Sequence, residues 1–591
     1  MRLFLLVAAL AASISLARAQ PAPAGGAMAD VEGVWVSHNE LGPKLFGALV
    51  IEQGGGVWRA SLGRARAQGA ALDLAFPDGQ GRFRGEVVEG GRAIEGWWVQ
   101  PPGLPGQAYA TPMRLTRTRP HAWRGEVQPL PQRFTLYLNI ASDGEGRWVG
   151  AFRNPQFNMN GGASRFFVTR SGDTLSFTTP EGKVVREATL SGRGMRVPSP
   201  PLPEPLDLQR VGDHSAEPYL PRTIWNKALS PLANTQDGWA TARPREMGFD
   251  EARLTDLVAA VATSDPFARR PQLIHSLLIA RGGRIVVEEY FHGFDRETPH
   301  DLRSAGKTFA SVMLGAVIAE GGDIGPQTKL FDVLAPDGPF ANPDPRKHDI
   351  TLAHLMTHTS GLACNDNDDA SQGNEGMMQG QNTQPNWWRF ALDLPVAHPA
   401  GARYAYCTAG MNLVGAALHR ATGESVAPLF HRLIARPMQF GRYSWNLMPN
   451  GEGYLGGGVY MRPRDLLKIG QLFLNDGVWN GRRIVSSDWV KRSSAAHVEI
   501  SEATTGMNGE TFAAVATAGF DGYAWHRYGV RVGAQRIEAF ESNGNGGQFL
   551  IVVPAYDLVV VITGGNYGQG GIWTRWRDDI VGAQIIPAIQ R

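Results

Sequence analysis

The sequence predicts a multidomain chain, with a β-rich barrel or sandwich at its N-terminal end and an α+β domain behind it. Three observations carry this reading. At 591 residues the chain exceeds what one hydrophobic core usually organises. From residue 31 to about 200, short runs alternate apolar and polar residues between glycine turns, the pattern of antiparallel strands with one wet face. Beyond residue 236, strand pairs at both ends bracket a stretch with helical periodicity, which suits a sheet layer and a helix layer. The composition is 43% hydrophobic and 19% charged with a formal charge of +2, ordinary soluble globular material. Lysine and arginine are interspersed with aspartate and glutamate, so a nucleic-acid or anionic-membrane surface is not expected.

Residues 1–19 combine Arg2, the apolar run Leu3 to Ala12 and a small-x-small pattern, Ala17-Arg18-Ala19, before Gln20. This resembles a cleavable secretory signal, so a periplasmic or secreted protein is expected. The run is shorter than the roughly 20 residues a spanning helix needs. No later stretch is apolar for long enough to cross a bilayer, and no stable membrane insertion is expected. Residues 20–197 form the β-rich segment, which carries an internal repeat. Leu49-Val50-Ile51, Gly56-Val57-Trp58 and Leu72 to Gly79 return as Leu138-Asn139-Ile140, Gly146-Arg147-Trp148 and Leu175 to Gly182. Trp35, Trp58, Trp97, Trp98, Trp123 and Trp148 suggest a stacking platform for sugars, but indoles on strands are more often core. Residues 198–235 open on a proline-rich run, Pro198 to Pro205, expected to be an extended linker.

The segment 236–591 begins with two apolar runs, Ile274 to Ala280 and Ile285 to Phe291, around Gly282-Gly283, a hairpin signal. It ends on a second such pair, Phe549 to Val553 and Leu558 to Ile562. Between them, Ser304-Ala305-Gly306-Lys307 opens an apolar helical pattern at Phe309, Val312, Met313, Ala316 and Val317 that stops at Gly321-Gly322. Residues three apart share a helix face, so Lys307 Nζ can lie near Ser304 Oγ at a helix N-terminus with unpaired N–H groups. That is an activated nucleophile in outline. The same serine could serve only as a helix cap.

Further motifs follow in order: Leu355 to Leu362 (LMTHTSGL), Pro399-Ala400-Gly401, Tyr404-Ala405-Tyr406-Cys407, Asn412 to Gly415, Gly457-Gly458-Val459, Arg464-Asp465-Leu466, and Gly544-Asn545-Gly546-Gly547-Gln548 before Pro554. Together these resemble the serine β-lactamase and penicillin-recognition superfamily, in its class C-like branch of esterases, peptidases and linear-amide hydrolases of the 6-aminohexanoate-dimer hydrolase type. The resemblance implies a β-lactamase-like domain, one antiparallel sheet flanked by helices with a helical insertion between about 320 and 520. It implies a metal-independent serine hydrolase that needs no cofactor, with Ser304 as nucleophile and Lys307 and Tyr406 handling the proton. Lys307 is expected to have its pKa lowered by desolvation, and which of Lys307 and Tyr406 is the base stays open. The resemblance matches the edge-strand motif to Asn545-Gly546-Gly547. It makes the backbone N–H of Gln548 the second oxyanion donor beside that of Ser304.

Two departures bear on substrate. Neutral Asn545 stands where the family has Lys or His, which weakens a grip on a substrate carboxylate. Tyr406-Cys407-Thr408 replaces Tyr-x-Asn, putting a shorter hydroxyl where an amide is expected. A small-molecule or peptide-like amide or ester is therefore the expected partner, with β-lactam or D-Ala-type cell-wall peptide cleavage as the alternative. A non-catalytic binding protein using its N-terminal β domain is the reading of another class. Cys364 and Cys407 are the only cysteines; they either form a disulfide beside Tyr406 or remain separate thiols. His354 and His358 have metal-pair spacing, but Leu355 occupies the place of a zincin glutamate, so no metal is expected. The acidic run Asn365 to Asp369 reads as a solvated loop. Gly451 to Gly456 follows a polar turn rather than a strand and is set aside as a dinucleotide fingerprint.

Overall fold

The computed structural model describes residues 28–103, 107–156, 165–200, 202–212, 214, 217–221, 228–380 and 385–590. The N-terminal signal pattern lies outside them. The chain divides into two compact units, Met1–Asn39 with Phe134–Glu217 and Pro266–Arg269, and Glu40–Arg133 with Pro218–Asp265 and Arg270–Arg591.

The first unit is built on a closed antiparallel barrel. Its strands run Gly33–Gly42, Gln132–Ser142, Trp148–Arg153, Arg165–Ser171, Thr174–Thr178, Val184–Ser191, Gly194–Val197 and Leu206–Arg210. The last strand closes on the first with Trp35 opposite Arg210. Alternate residues point inward, as the pleat requires, so Leu136, Leu138 and Ile140 from one strand and Leu175 and Phe177 from another are buried. The sequence places a linker at 198–235, yet Leu206–Arg210 is a barrel strand. Its alternating Leu206 and Leu208 fill the interior, and the prolines before it leave that pairing untouched.

The second unit holds two large sheets and two 2-stranded ones. The boundary expected at residue 197 does not describe the chain's division, because the strands between Gly47 and Val127 belong here. They continue into an 11-stranded sheet through Ala108–Arg119, which pairs with Tyr443–Leu447, with Ala110 opposite Trp445. Thr111 Oγ1 and Ser444 Oγ, 2.7 Å apart, tie the same two strands. The internal repeat thus builds two different sheets, its first half in this one and its second half in the barrel. Of the tryptophans, Trp35, Trp58, Trp98 and Trp123 are buried and Trp97 and Trp148 are half-buried, as core residues on strands are.

The other large sheet has 9 strands, in the order Ala240–Thr241, Arg284–Tyr290, Ile274–Arg281, Leu558–Gly564, Gln548–Val553, Phe540–Gly544, His526–Arg527, Gly519–Asp521, Val498–Ile500. The predicted hairpin forms with Arg281 opposite Arg284. Both turn residues have positive φ, 57° at Gly282 and 70° at Gly283, which the strand twist favours in a two-residue turn and glycine permits. Leu277 and Ile279 pack against the helix Glu251–Ala262 and the C-terminal helical segment, while Leu278 and Ala280 join the core that includes the helix Thr308–Ala319. Helices therefore cover both faces, and these central strands read as unbroken apolar runs.

Ser304 does not itself begin the apolar helix. It sits on a 3-10 turn, Arg303–Lys307, from which the helix Thr308–Ala319 continues. That helix is buried on every side from Thr308 to Val317, beyond the single face the spacing predicts, because the helix Thr408–Thr422 and Trp489 close its remaining faces. An ion network braces this core: Arg464 donates to Asp237 and to Glu288, each at 2.7 Å, and Lys468 to Asp465 at 2.9 Å. Among the described residues no helix is long and apolar enough to cross a membrane.

Candidate active site

The turn carrying Ser304 is clamped from two sides. Leu302 N–H donates to Val459 O at 3.0 Å, and the strand Phe540–Gly544 ends against the turn. A Cβ on Gly544 would lie 2.4 Å from Leu302 O and 3.0 Å from Ala305 N, so only glycine permits this approach. On the turn, Lys307 Nζ donates to Ser304 Oγ at 3.0 Å.

Tyr406 lies just before the helix Thr408–Thr422. The Ser304 and Lys307 side chains act on its hydroxyl electrostatically, and Lys307 Nζ stands 5.1 Å from its ring centroid. The three groups therefore meet in space although Tyr406 is distant in sequence. Cys364 and Cys407 form a disulfide that ties Tyr406's neighbour to the loop after Gly361. His358 braces the same segment: its carbonyl accepts from Ala405 N–H at 2.8 Å, its Nδ1 accepts from Cys407 N–H at 3.2 Å, and its ring lies 4.5 Å from that of Tyr406.

The electrostatics differ from expectation at Lys307. Burial pushes an ammonium toward losing its proton, and Lys307 is only 5% exposed. Tyr406, Glu375 and Asp366 outweigh that effect, so its pKa is raised above the usual lysine value. Burial also raises Tyr406, against the opposing pull of Lys307 and Ser304. The resting pair is an ammonium beside a neutral phenol. His358 is held neutral by burial and by Lys307.

Of the residues matched to the oxyanion motif, Gln548 does not face the nucleophile with its side chain. It is fully buried, pairs across the hairpin with Gly544, and donates to Gly564 O at 2.7 Å while accepting from Gly564 N–H at 3.2 Å. Gly546 bridges to Asn566, and Gly547 N–H donates to Gly544 O at 3.1 Å. The residue abutting the Ser304 turn is Gly544, and exposed Asn545 follows it directly. Thr408, where the family has an amide, is fully buried. His354 Nδ1 accepts from Thr351 N–H at 3.2 Å, so both histidines of the metal-like spacing use Nδ1 on a backbone N–H.

The family model for Beta-lactamase matches residues 274–569, half of the chain, and spans every group just described. The chain belongs to the beta-lactamase family. As a beta-lactamase-family protein it is a serine hydrolase. It is 26% identical over 286 residues to the 6-aminohexanoate-dimer hydrolase of Paenarthrobacter ureafaciens, covering 44% of this chain and 71% of that one. Among solved structures it is similar to a penicillin-binding protein homologue from Caulobacter crescentus, at 15% identity and TM-score 0.42, over 55% of this chain and 93% of that one. It is also similar to a family VIII carboxylesterase, at 16% identity and TM-score 0.43, over 57% and 96%.

The beta-lactamase-family motifs do not include the acidic groups beside Lys307. Asp366, in the run read as a solvated loop, turns inward: its Oδ1 accepts from Glu375 N–H at 2.8 Å and its Oδ2 from Thr408 N–H at 2.7 Å. Glu375 Oε1 accepts from Tyr454 hydroxyl at 2.6 Å. Asn367, Asp368 and Asp369 are exposed, as expected for such a run. The one local signal that separates Asp366 from its neighbours is its position two residues after Cys364.

Proposed function

We propose that this protein is an exported hydrolase that cleaves linear amides or esters through an acyl-enzyme on Ser304. The observation that carries the reading is the 3.0 Å hydrogen bond from Lys307 Nζ to Ser304 Oγ, with the Tyr406 ring centroid 5.1 Å from that Nζ. Lys307 spends a donor on Oγ, so the hydroxyl proton of Ser304 is directed to Tyr406. With Lys307 held as an ammonium, Tyr406 must first release its own proton to water; the phenolate that Lys307 then stabilises takes the Ser304 proton as Oγ bonds to the substrate carbonyl carbon. The oxyanion is held by Ser304 N–H and, in place of Gln548, by the N–H of Asn545, which follows Gly544 at the mouth of the turn. Collapse of the tetrahedral intermediate breaks the bond to the amine or alcohol, which leaves with the proton from Tyr406. Water then cleaves the acyl-enzyme by the same steps in reverse order. Neutral Asn545 supports a linear substrate over a penicillin-type one. The N-terminal signal pattern and the Cys364–Cys407 disulfide support export to an oxidising compartment.

A fluorophosphonate tests the nucleophile: the expected result is one adduct, mapped to the Ser304 peptide by mass spectrometry and lost in Ser304→Ala. An unlabelled wild-type protein would remove the hydrolytic reading. Turnover of p-nitrophenyl esters alongside nitrocefin ranks substrates, and faster nitrocefin hydrolysis would reverse the preference for linear substrates.

A further inference from the structure

Asp366 stands where three chain segments meet. Its N–H donates to Tyr406 O at 2.8 Å, its two carboxylate oxygens take Thr408 N–H and Glu375 N–H at 2.7 and 2.8 Å, and Cys364 two residues before it is bonded to Cys407. Residues 406, 407 and 408 are thus each tied to the segment 364–366. The two N–H donors reach different oxygens of the one side chain. A carboxylate has both, whereas an amide has one and would set an NH2 group against the second donor. The carboxylate also lies beside a second one, Glu375, whose proximity opposes its ionisation and for which packing supplies no reason. The cation that offsets both is Lys307, which faces Asp366, Glu375, Tyr406, His358 and Ser304. Asp366 itself faces Glu375, Lys307, Tyr406 and Tyr454.

We propose that Asp366 is a positioning residue of the hydrolase, whose carboxylate fixes Tyr406 over Ser304 and sets the proton affinity of the Lys307–Tyr406 pair. The inference rests on the reading of Ser304, Lys307 and Tyr406 as the reacting groups. Burial, with Glu375, raises the pKa of Asp366, and Lys307 and the Thr408 contacts oppose the rise. Removing the negative charge makes the pair easier to deprotonate, so the sign is fixed: the pH at which activity rises moves down.

The test is kcat/KM for a p-nitrophenyl ester across pH in wild type, Asp366→Asn, Asp366→Ser and the double variant Cys364→Ser/Cys407→Ser, with fluorophosphonate labelling of each. The expected result for either Asp366 variant is a kcat lower by about tenfold to a hundredfold with little change in KM, and a rising limb shifted by about one unit to lower pH. The cysteine variant loosens the same segment without removing charge, so its limb stays at the wild-type pH. A labelled Asp366 variant with an unmoved limb, or an equal shift in the cysteine variant, overturns the inference. So does loss of the fold in both Asp366 variants while the cysteine variant folds, since Asp366 would then be structural. Absence of labelling in the wild type would instead sink the underlying reading of Ser304.

Discussion

At position 307 burial and charge oppose each other, and charge wins. An ammonium removed from water tends to lose its proton, but Asp366, Glu375 and Tyr406 hold Lys307 protonated. Lysine therefore acts as a fixed cation beside Oγ, and the proton traffic falls to the phenol. Tyr406→Phe keeps the ring against His358 and removes only the hydroxyl. Steady-state kinetics should show kcat lower by about a hundredfold to ten-thousandfold with KM nearly unchanged; a KM effect alone would make Tyr406 a binding residue. The Ser304–Lys307 pair was legible in the sequence because a three-residue spacing on one turn is a local object. Asp366 was not, because a run of polar and acidic residues looks solvated until a disulfide two residues earlier draws its start inward. Lys307 was misjudged for the same reason: desolvation could be foreseen, but the carboxylates that outweigh it come from a loop more than fifty positions away.

Two elements hold this geometry, the hairpin that ends at Gly544 and the disulfide that secures the Tyr406 segment. Gly544→Ala would place a methyl group 2.4 Å from Leu302 O, so the strand and the Ser304 turn must separate. Ester hydrolysis should fall at least tenfold with the protein still folded, an effect of the size a misplaced oxyanion donor produces. Wild-type activity in folded Gly544→Ala would detach that strand from the chemistry. The disulfide closes a loop of 43 positions, for which chain entropy gives about 4 kcal/mol. Cys364→Ser/Cys407→Ser should lower the urea midpoint accordingly. The strand pairs were readable from alternation and glycine turns. The close approach of Gly544 to the Ser304 turn was not readable, because letters alone do not say which glycine of Gly544-Asn545-Gly546-Gly547 makes it.

Over the whole molecule, the second unit carries N-terminal strands as part of its own sheet. Tyr443–Leu447 and Ala108–Arg119 share a ladder, so a chain beginning at residue 236 exposes an edge that invites aggregation. Such a chain should be recovered insoluble, whereas soluble, active protein would show that the added strands are dispensable. The domain boundary was misread because a continuous β-rich composition does not reveal which sheet each strand joins. Acid should weaken this unit through two groups. Burial depresses His300 to about 4 from its usual 6.5, so stability is lost as pH falls between those values while the unfolded chain takes up a proton. Arg464 and Lys468 depress Asp237 to about 2 from 3.8 despite burial, adding a second loss over that lower range. Urea melts at successive pH values should show the first loss, and His300→Gln should flatten it.

The central claim, a covalent acyl group on Ser304, is met most directly by acid-quenching the protein during turnover of a slow ester and measuring its intact mass and peptides. The account predicts a mass increase equal to the acyl group, confined to the Ser304 peptide and absent in Ser304→Ala. Turnover at full rate with no acyl adduct on any peptide, or an adduct on another residue, would contradict it.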